Sequence, residues 1–383
     1  MNIGVLREKD PLDRRVALTP PVVHQLAGHG NAVWVESGAG DGAMYHDDDF
    51  IHAGASIGYS KADVIGRAEM LVRISVPSAE ELDACRPGMS VMAFYHMAVA
   101  GPAVFERLIR RHITAIGCEI IETPDGRHPV LAAASELCGR MAVPLASHLL
   151  RSSSGGRGIL LSGAPGVPPA HVVVLGAGVV GARAARAAAA SGARVTVLDI
   201  DSEKLRELVD HVPQIATALP DPDSVAAAVA SADVVIGAVL VSGMRTPHVV
   251  TRKMVEKMKP GSVVIDIAID QGGCIETSRP TTIAEPTFIH HGVVHYCVPN
   301  LTADIGRSAS IALAQALMPY LIRLGDLGVE TAFQKCPQLA RGVYTHRGEC
   351  VNRRLASAWK VAYRPIAELL AEPAQAATSA AQD

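Results

Sequence analysis

The chain has 383 residues, of which 49% are hydrophobic and 19% are charged, and its formal net charge is −3. This length accommodates two domains of ordinary size, and the composition is that of a globular protein rather than a disordered one. The slightly negative charge excludes the basic field that nucleic-acid binding needs, so we predict no nucleic-acid partner.

Membrane, secretion and metal signals are also missing. The sequence has no run of about eighteen uncharged apolar residues, and its opening residues MNIGVLREKD lack a signal-peptide pattern. The seven cysteines never form a C-x-x-C pair, which indicates reduced thiols rather than disulfides or zinc ligands. His290, His291 and His295 have no acidic or cysteine partner at ligand spacing. These features predict a cytoplasmic protein with no membrane partner and no metal.

Strands and helices alternate in the first third of the chain. Apolar runs predict strands at 2–6, 32–35, 70–74, 90–94 and 114–121. Segments of helical length separate them, the first starting at Thr19-Pro20 with the threonine as cap. This alternation predicts a parallel sheet covered by helices.

A long helix at 132–150 leads into a second alternating region. Strands are predicted at 172–175, 195–198, 233–239, 262–269 and 293–298, and a second long helix at 308–324. The last sixty residues have a helical, alanine-rich pattern that ends in a tail predicted to be disordered. The boundaries that follow are a substrate domain formed by 1–131 and 308–371, a nucleotide domain at 132–307 inserted into it, and a tail at 372–383.

The strongest motif is the glycine turn after the strand at 172–175. Gly176, Gly178 and Gly181 have the G-x-G-x-x-G spacing, and an alanine-rich helix follows them. The first glycine permits a tight turn, the second lets the backbone approach a diphosphate, and the third lets helix pack on strand. Small residues also pack helices closely for structural reasons alone, but here the strand, helix and following strand all agree with a dinucleotide site.

The second strand of this unit ends at Asp199. A carboxylate at this point accepts hydrogen bonds from the adenosine ribose and repels a 2′-phosphate, so the sequence predicts NAD rather than NADP. Lys204 follows closely and could meet an anion, which leaves the alternative open.

Three further residues could carry chemistry. The planar guanidinium of Arg15 suits bidentate capture of a carboxylate, although loop arginines often only cover surface. His96 follows a strand at the sheet edge where ligands gather, and an imidazole can exchange protons near neutral pH; a hydrogen-bonded core histidine is the alternative. Asp270 is predicted to end the strand at 262–269, either as a catalytic carboxylate or as an Asx cap on the turn into Gly272-Gly273.

Four strings resemble the alanine dehydrogenase and transhydrogenase α-subunit family: R-V-A-L-T-P from Arg15, F-Y-H ending at His96, D-I-A-I-D-Q-G-G-C around Asp270, and V-P-N ending at Asn300. The resemblance implies two Rossmann-like doubly wound parallel-sheet domains around a cleft. It also implies reversible NAD-linked oxidative deamination of a small L-amino acid, and a homo-oligomer, hexamer or dimer. The family's catalytic histidine and aspartate match His96 and Asp270, and Arg15 matches its carboxylate-binding arginine.

Other cofactor contacts are predicted at the following positions: Ser135, Val239, Leu240, Ile267, Asp270 and Asn300.

Ser75 departs from the family pattern. The dehydrogenases carry a K-x-K-E-P string whose second lysine contacts the substrate, whereas this chain has R-I-S-V-P from Arg73 to Pro77. Arg73 is predicted to lie on the same strand face as Ser75, about 7 Å away, too far to replace the lysine without a longer substrate. We therefore count Ser75 and Arg73 among the substrate-binding positions and expect a substrate that differs from alanine.

Three alternatives remain at this point. One is an imine reductase or N-carboxyalkyl amino-acid dehydrogenase of the saccharopine type, which acts on a larger substrate. Another is an NAD-binding homologue without turnover, favoured by the missing lysine and disfavoured by the presence of His96 and Asp270. The last is a transhydrogenase subunit, against which His96 and the absence of a membrane segment count.

Overall fold

The computed structural model describes residues 1–241 and 243–372. It divides the chain into two compact units. The first unit contains residues 1–133 and 303–372, and the second unit contains residues 134–302. The predicted tail at 372–383 lies outside the described residues, apart from Glu372.

The strands, in chain order, are β1 Asn2–Val5, β2 Ala32–Glu36, β3 Ser56–Gly58, β4 Met70–Val72, β5 Ser90–Ala93, β6 Thr114–Gly117, β7 His171–Leu175, β8 Arg194–Leu198, β9 Ala216–Ala218, β10 Val234–Gly237, β11 Val263–Asp266, β12 Thr287–His290, β13 Val293–Tyr296, β14 Val343–His346 and β15 Glu349–Cys350. The α-helices are α1 Pro20–Gly28, α2 Asp47–His52, α3 Lys61–Arg67, α4 Ala79–Ala84, α5 Met97–Ala100, α6 Pro102–Arg110, α7 Pro129–Leu149, α8 Val179–Ala190, α9 Ser202–His211, α10 Pro222–Ser231, α11 Arg252–Val255, α12 Gly306–Leu327, α13 Val329–Lys335, α14 Pro337–Arg341, α15 Arg353–Trp359 and α16 Ile366–Ala371.

The first unit is built on an eight-stranded sheet with the order β15-β14-β6-β5-β4-β1-β2-β3. Its six N-terminal strands are all parallel, so the residues that follow β1, β4, β5 and β6 meet at one edge. The four strands carry almost uninterrupted buried apolar residues, as expected when helices cover both faces. This edge carries the first unit's candidate site residues.

The second unit is built on a seven-stranded sheet with the order β12-β13-β11-β10-β7-β8-β9. Only β12 runs antiparallel to its neighbour. The predicted fold class, two Rossmann-like units of mostly parallel sheet, is therefore confirmed.

Several local predictions are wrong. The last sixty residues are not wholly helical, because β14 and β15 form a hairpin and β14 pairs antiparallel with β6. Asp270 does not end a strand: β11 stops at Asp266, and a 3-10 turn, Ile267–Gln271, follows. Thr19 stands at the N-cap of α1, but its side chain makes no capping hydrogen bond.

Helix α7 is the one helix among the described residues that is long and apolar enough to cross a membrane, with a mean hydropathy of 1.2 over its most apolar window. Its face at Ala142 and Ala146 packs into the core of the second unit. Glu136 in the same helix forms an ion pair with Arg183 at 2.5 Å.

Candidate active site

The glycine turn has the geometry of a phosphate cradle. Gly176 lies in the left-handed region with φ +98°, and a side chain at Gly181 would collide with the carbonyl oxygen of Gly176, so both positions require glycine. Gly178 is the N-cap of α8, and a Cβ atom there would have no heavy atom within 4 Å. The open space at Gly178 therefore faces the N-terminus of a twelve-residue helix, where free N–H groups favour a diphosphate.

Asp199 connects this turn to β8. One oxygen of its carboxylate accepts the N–H of Ala177 at 2.5 Å, and the other accepts the N–H of Asp201 at 2.8 Å. Each carboxylate oxygen can accept a second hydrogen bond, so Asp199 can still receive ribose hydroxyls. The ammonium of Lys204 lies 3.5 Å from Asp201, which gives this lysine an anionic partner within the protein.

We expect NAD(H) to bind about tenfold more tightly than NADP(H), a difference of about 1.4 kcal/mol. Asp199→Asn should remove most of this preference, because it abolishes the charge that repels a 2′-phosphate while keeping an oxygen for the N–H of Ala177. Calorimetric titration of the wild type and the variant with both nucleotides measures the effect, and Asp210→Asn, at an exposed position of α9 in the same unit, is the matched control. Equal affinities of the wild type for the two nucleotides would contradict the prediction.

A second turn in this unit wraps around a buried carboxylate. Asp266 is 2% exposed and accepts backbone N–H groups of Ala268, Cys274 and Ile275 at 3.1–3.2 Å. Burial raises the pKa of Asp266 above its ordinary value. Gly273 has φ +79°, and a Cβ atom there would come within 2.9 Å of the Asp266 carboxylate, so this glycine lets the turn close around the aspartate.

Asp270 lies on the outer part of this turn and is half-buried. Its carboxylate accepts the backbone N–H of Asn300 at 2.8 Å. Asn300 itself has the left-handed φ of +54°. The structure therefore brings together two of the strings that carry the family resemblance, D-I-A-I-D and V-P-N.

The other cofactor candidates belong to the same unit. Ser135 lies in α7, Val239 and Leu240 lie two and three residues after the end of β10, and Ile267 is the first residue of the 3-10 turn. Leu240 is 49% exposed, whereas Val239 and Ile267 are half-buried. Because β10 and β11 are parallel neighbours, the residues that follow them lie at one sheet edge.

His96 follows β5 in the first unit and has a left-handed backbone, with φ +45° and ψ +48°. Its N–H donates to the carboxylate of Glu119 at 2.8 Å. Its ring stacks on Phe94 with 6.0 Å between centroids. The Nδ1 atom is buried and has no hydrogen-bond partner, which is the state expected of a group whose partner arrives with a ligand.

Arg15 is 4% exposed, although it belongs to a loop. The carboxylate of Asp13 engages its Nε atom at 2.8 Å and its Nη2 atom at 2.6 Å, in the fork geometry that a guanidinium offers to a carboxylate. A small hollow of about 40 Å³ has Arg15, Asp13 and Glu8 in its lining. Arg15 is thus held rigidly, and it is not a solvated loop charge.

Arg73 lies among acidic side chains of the first unit. It is fully buried, and its guanidinium pairs with Glu81 and, at 3.1 Å, with Glu8. Glu8 also accepts the N–H groups of Ile74 at 2.9 Å and Ser75 at 3.2 Å, and the hydroxyl of Ser75. Two carboxylates thus hold Arg73 inside the first unit, and its role as a substrate contact stays a prediction. Position 75 has an uncharged hydroxyl bonded to a buried carboxylate.

Three acidic residues that the sequence pattern does not single out organise this edge: Glu8, Glu81 and Glu119. All three are at most 6% exposed. Glu8 stands in a loop of mixed charge, and its partners at 73–75 are more than sixty residues away, so local pattern gave no signal. Glu81 sits three residues after Ser78, and this capping-box spacing was its only local sign.

A glycine cradle on one of two Rossmann-like units is typical of NAD-dependent oxidoreductases. The family model described as alanine dehydrogenase/PNT, N-terminal domain, matches residues 4–138, and the model of the C-terminal domain matches residues 142–353. The chain therefore belongs to the alanine dehydrogenase/PNT family.

Individual relatives agree with this assignment. An alanine dehydrogenase of Mycobacterium tuberculosis (strain CDC 1551 / Oshkosh) is 42% identical over 97% of this chain and 100% of its own length. A solved L-alanine dehydrogenase superposes with a TM-score of 0.88 at 37% identity, covering 94% of this chain and 99% of the other. A transhydrogenase from Sinorhizobium meliloti has a TM-score of 0.76 at 28% identity, covering 92% of this chain and 100% of the other.

Proposed function

We propose that the protein is an NAD-dependent amino-acid dehydrogenase whose preferred substrate differs from alanine. The observation that carries the proposal is at position 75. Ser75 offers an uncharged hydroxyl, and the buried Glu8 beside it accepts that hydroxyl and the guanidinium of Arg73. With Arg73 committed to carboxylates, neither residue supplies the cation of the family's K-x-K-E-P string.

Bound NAD would take up the hydride that leaves the Cα atom of the amino acid. Arg15 would hold the substrate carboxylate, because Asp13 keeps its guanidinium in one orientation and the family resemblance assigns this role to the matching arginine. His96 would remove and return protons as the imine, carbinolamine and ketone interconvert. Asp270 would orient the attacking water or the departing ammonia.

On the nucleotide side, we propose the glycine turn as the diphosphate site and Asp199 as the ribose contact. Ser135, Val239, Leu240, Ile267 and Asn300 complete the proposed cofactor contacts. The glycine turn can accommodate a diphosphate because Gly178 has no side chain, which leaves room at the N-terminus of α8.

The domain and cellular assignments remain proposals. We propose a substrate domain at 1–131 and 308–371 around an inserted nucleotide domain at 132–307. We further propose a cytoplasmic homo-oligomer, hexamer or dimer, in line with the family resemblance.

A second candidate is an imine reductase or N-carboxyalkyl amino-acid dehydrogenase. A serine is several atoms shorter than a lysine, and the space that this difference leaves favours a substrate with additional bulk. The two candidates differ in whether ammonia or an amine condenses with the oxo acid.

A substrate screen tests the proposal. L-amino acids with NAD, and 2-oxo acids with NADH and either ammonium or primary amines, are followed by NADH absorbance. We expect turnover of an amino acid that carries a larger or more polar side chain than alanine. Turnover with amines but not ammonium would favour the second candidate. No turnover with any of these, while NADH still binds, would overturn the dehydrogenase proposal in favour of a binding protein.

A further inference from the structure

We propose that Glu119 and Tyr344 position His96: the carboxylate of Glu119 fixes the left-handed turn that carries the imidazole, and the hydroxyl of Tyr344 fixes the carboxylate. This inference rests on the proposed function, because it takes His96 as the proton carrier.

The carboxylate of Glu119 holds the end of β5 through two backbone groups. It accepts the N–H of His96 at 2.8 Å and the N–H of Tyr95 at 3.2 Å. Glu119 comes from the turn after β6, the parallel neighbour of β5. Two amides held by one carboxylate set the direction in which the chain leaves β5.

The backbone of His96 needs such a restraint. A residue other than glycine in the left-handed region, here with φ +45°, is unfavourable unless the surrounding structure enforces it. Because Nδ1 of His96 has no partner in the protein, no side-chain hydrogen bond at that atom orients the ring. The orientation of the ring therefore depends on the turn and on the stacking with Phe94, and the turn depends on Glu119.

Tyr344 completes the arrangement from the other side. Its hydroxyl donates to Glu119 at 2.8 Å, to the same oxygen that accepts the N–H of His96. Burial, and then the nearby Glu119, raise the pKa of Tyr344 well above its ordinary value, so the hydroxyl remains a proton donor. Its ring packs edge-on against Tyr95 with 6.0 Å between centroids.

Packing leaves Tyr344 little freedom. The residue is 2% exposed, and a side chain at Gly117 would collide with its ring, so β6 and the tyrosine are in close contact. Among the described residues, no lysine, arginine or histidine forms an ion pair with Glu119, so its charge is stabilised by the two amides and the tyrosine hydroxyl. The hairpin β14–β15, which forms one edge of the sheet, thus also supplies Tyr344 to the proposed arrangement.

The test is a double-mutant cycle between Glu119→Gln and His96→Ala, with L-alanine and NAD as the probe pair at high enzyme concentration. We expect Glu119→Gln to lower kcat about tenfold while the KM for NAD stays within about twofold, since the nucleotide turn is untouched. In the His96→Ala background the same substitution should have no further effect, because its effect passes through the imidazole. Tyr344→Phe should lower kcat in the same direction, by a smaller factor.

Tyr320→Phe is the matched control, because Tyr320 is also buried in the first unit and bonds Gln338 instead. Thermal melting and NADH stoichiometry verify that each variant is folded. If Glu119→Gln lowered kcat by the same factor in the wild-type and His96→Ala backgrounds, Glu119 would have a merely structural role and the inference would be overturned. An unchanged kcat in both Glu119→Gln and Tyr344→Phe would also overturn it. If His96→Ala alone keeps the wild-type rate, or if the wild type forms no NADH from any amino acid tested, the proposed function fails and this inference fails with it.

Discussion

Replacement of His96 by alanine should lower kcat about 10²–10⁴-fold, the range usual for loss of a general acid or base. The affinity for NADH should stay within about twofold of the wild-type value, because His96 is proposed to meet the substrate rather than the diphosphate of the nucleotide. Steady-state rates with the substrate found in the screen, together with fluorescence titration of NADH, measure the two quantities separately.

His29→Ala provides the control for this substitution. His29 also belongs to the first unit, but it lies at the surface and pairs with Asp326. Its removal should leave kcat and NADH affinity unchanged. If His96→Ala retained kcat within a factor of a few, the role of His96 as proton carrier would be wrong, and the unpartnered Nδ1 atom would need another explanation.

The parts of the site that the sequence predicted are those that depend on neighbours in the chain. The glycine turn and Asp199 belong to one strand-helix-strand segment, so their spacing alone carries most of the geometry. His96 could be located because an apolar strand ends just before it and parallel strands gather their carboxyl ends at one edge.

The parts that could not be predicted depend on residues far apart in the chain. Arg73 directly follows β4, and its burial depends on Glu8, 65 positions away. The distance between Tyr344 and Glu119 is 225 positions, and β14, which supplies the tyrosine, has only four residues within a helical, alanine-rich region. Short strands of this kind take their conformation from the partner strand rather than from local propensity.

The end of β11 could not be predicted for a different reason. The apolar run continues from Val263 to Ile269, so periodicity extends the strand. The strand ends at Asp266 because its buried carboxylate caps the following turn through the N–H of Ala268. An aspartate inside an apolar run can end a strand, because its carboxylate accepts backbone N–H groups that would otherwise bond within the sheet. The turn forms when enough N–H groups reach the carboxylate to satisfy it.

Introducing the family lysine at position 75 should convert the protein toward an alanine dehydrogenase. Ser75→Lys should raise kcat/KM for L-alanine by roughly ten- to hundredfold, since a hydrogen bond to a charged group contributes about 1.5–3 kcal/mol. The buried Glu8 lies within bonding distance of position 75 and would pair with the new ammonium, which holds it in place. The activity with the larger native substrate should fall, because the longer side chain fills its space. Initial rates of NADH formation with L-alanine and with the native substrate measure this change in preference.

Ser75→Met separates charge from bulk in this experiment. Methionine has nearly the length of lysine but no charge, so it should depress the native reaction without raising alanine oxidation. Glu8→Gln combined with Ser75→Lys should give a smaller gain than Ser75→Lys alone, because the ammonium would lose its anionic partner while Arg73 would still pair with Glu81. If the kcat/KM of the wild type for L-alanine already equalled that of the Ser75→Lys variant, the proposed change of substrate would be contradicted. The missing charge at position 75 would then have been replaced by another group, and the specificity of the site would have to be sought beside Arg15 instead.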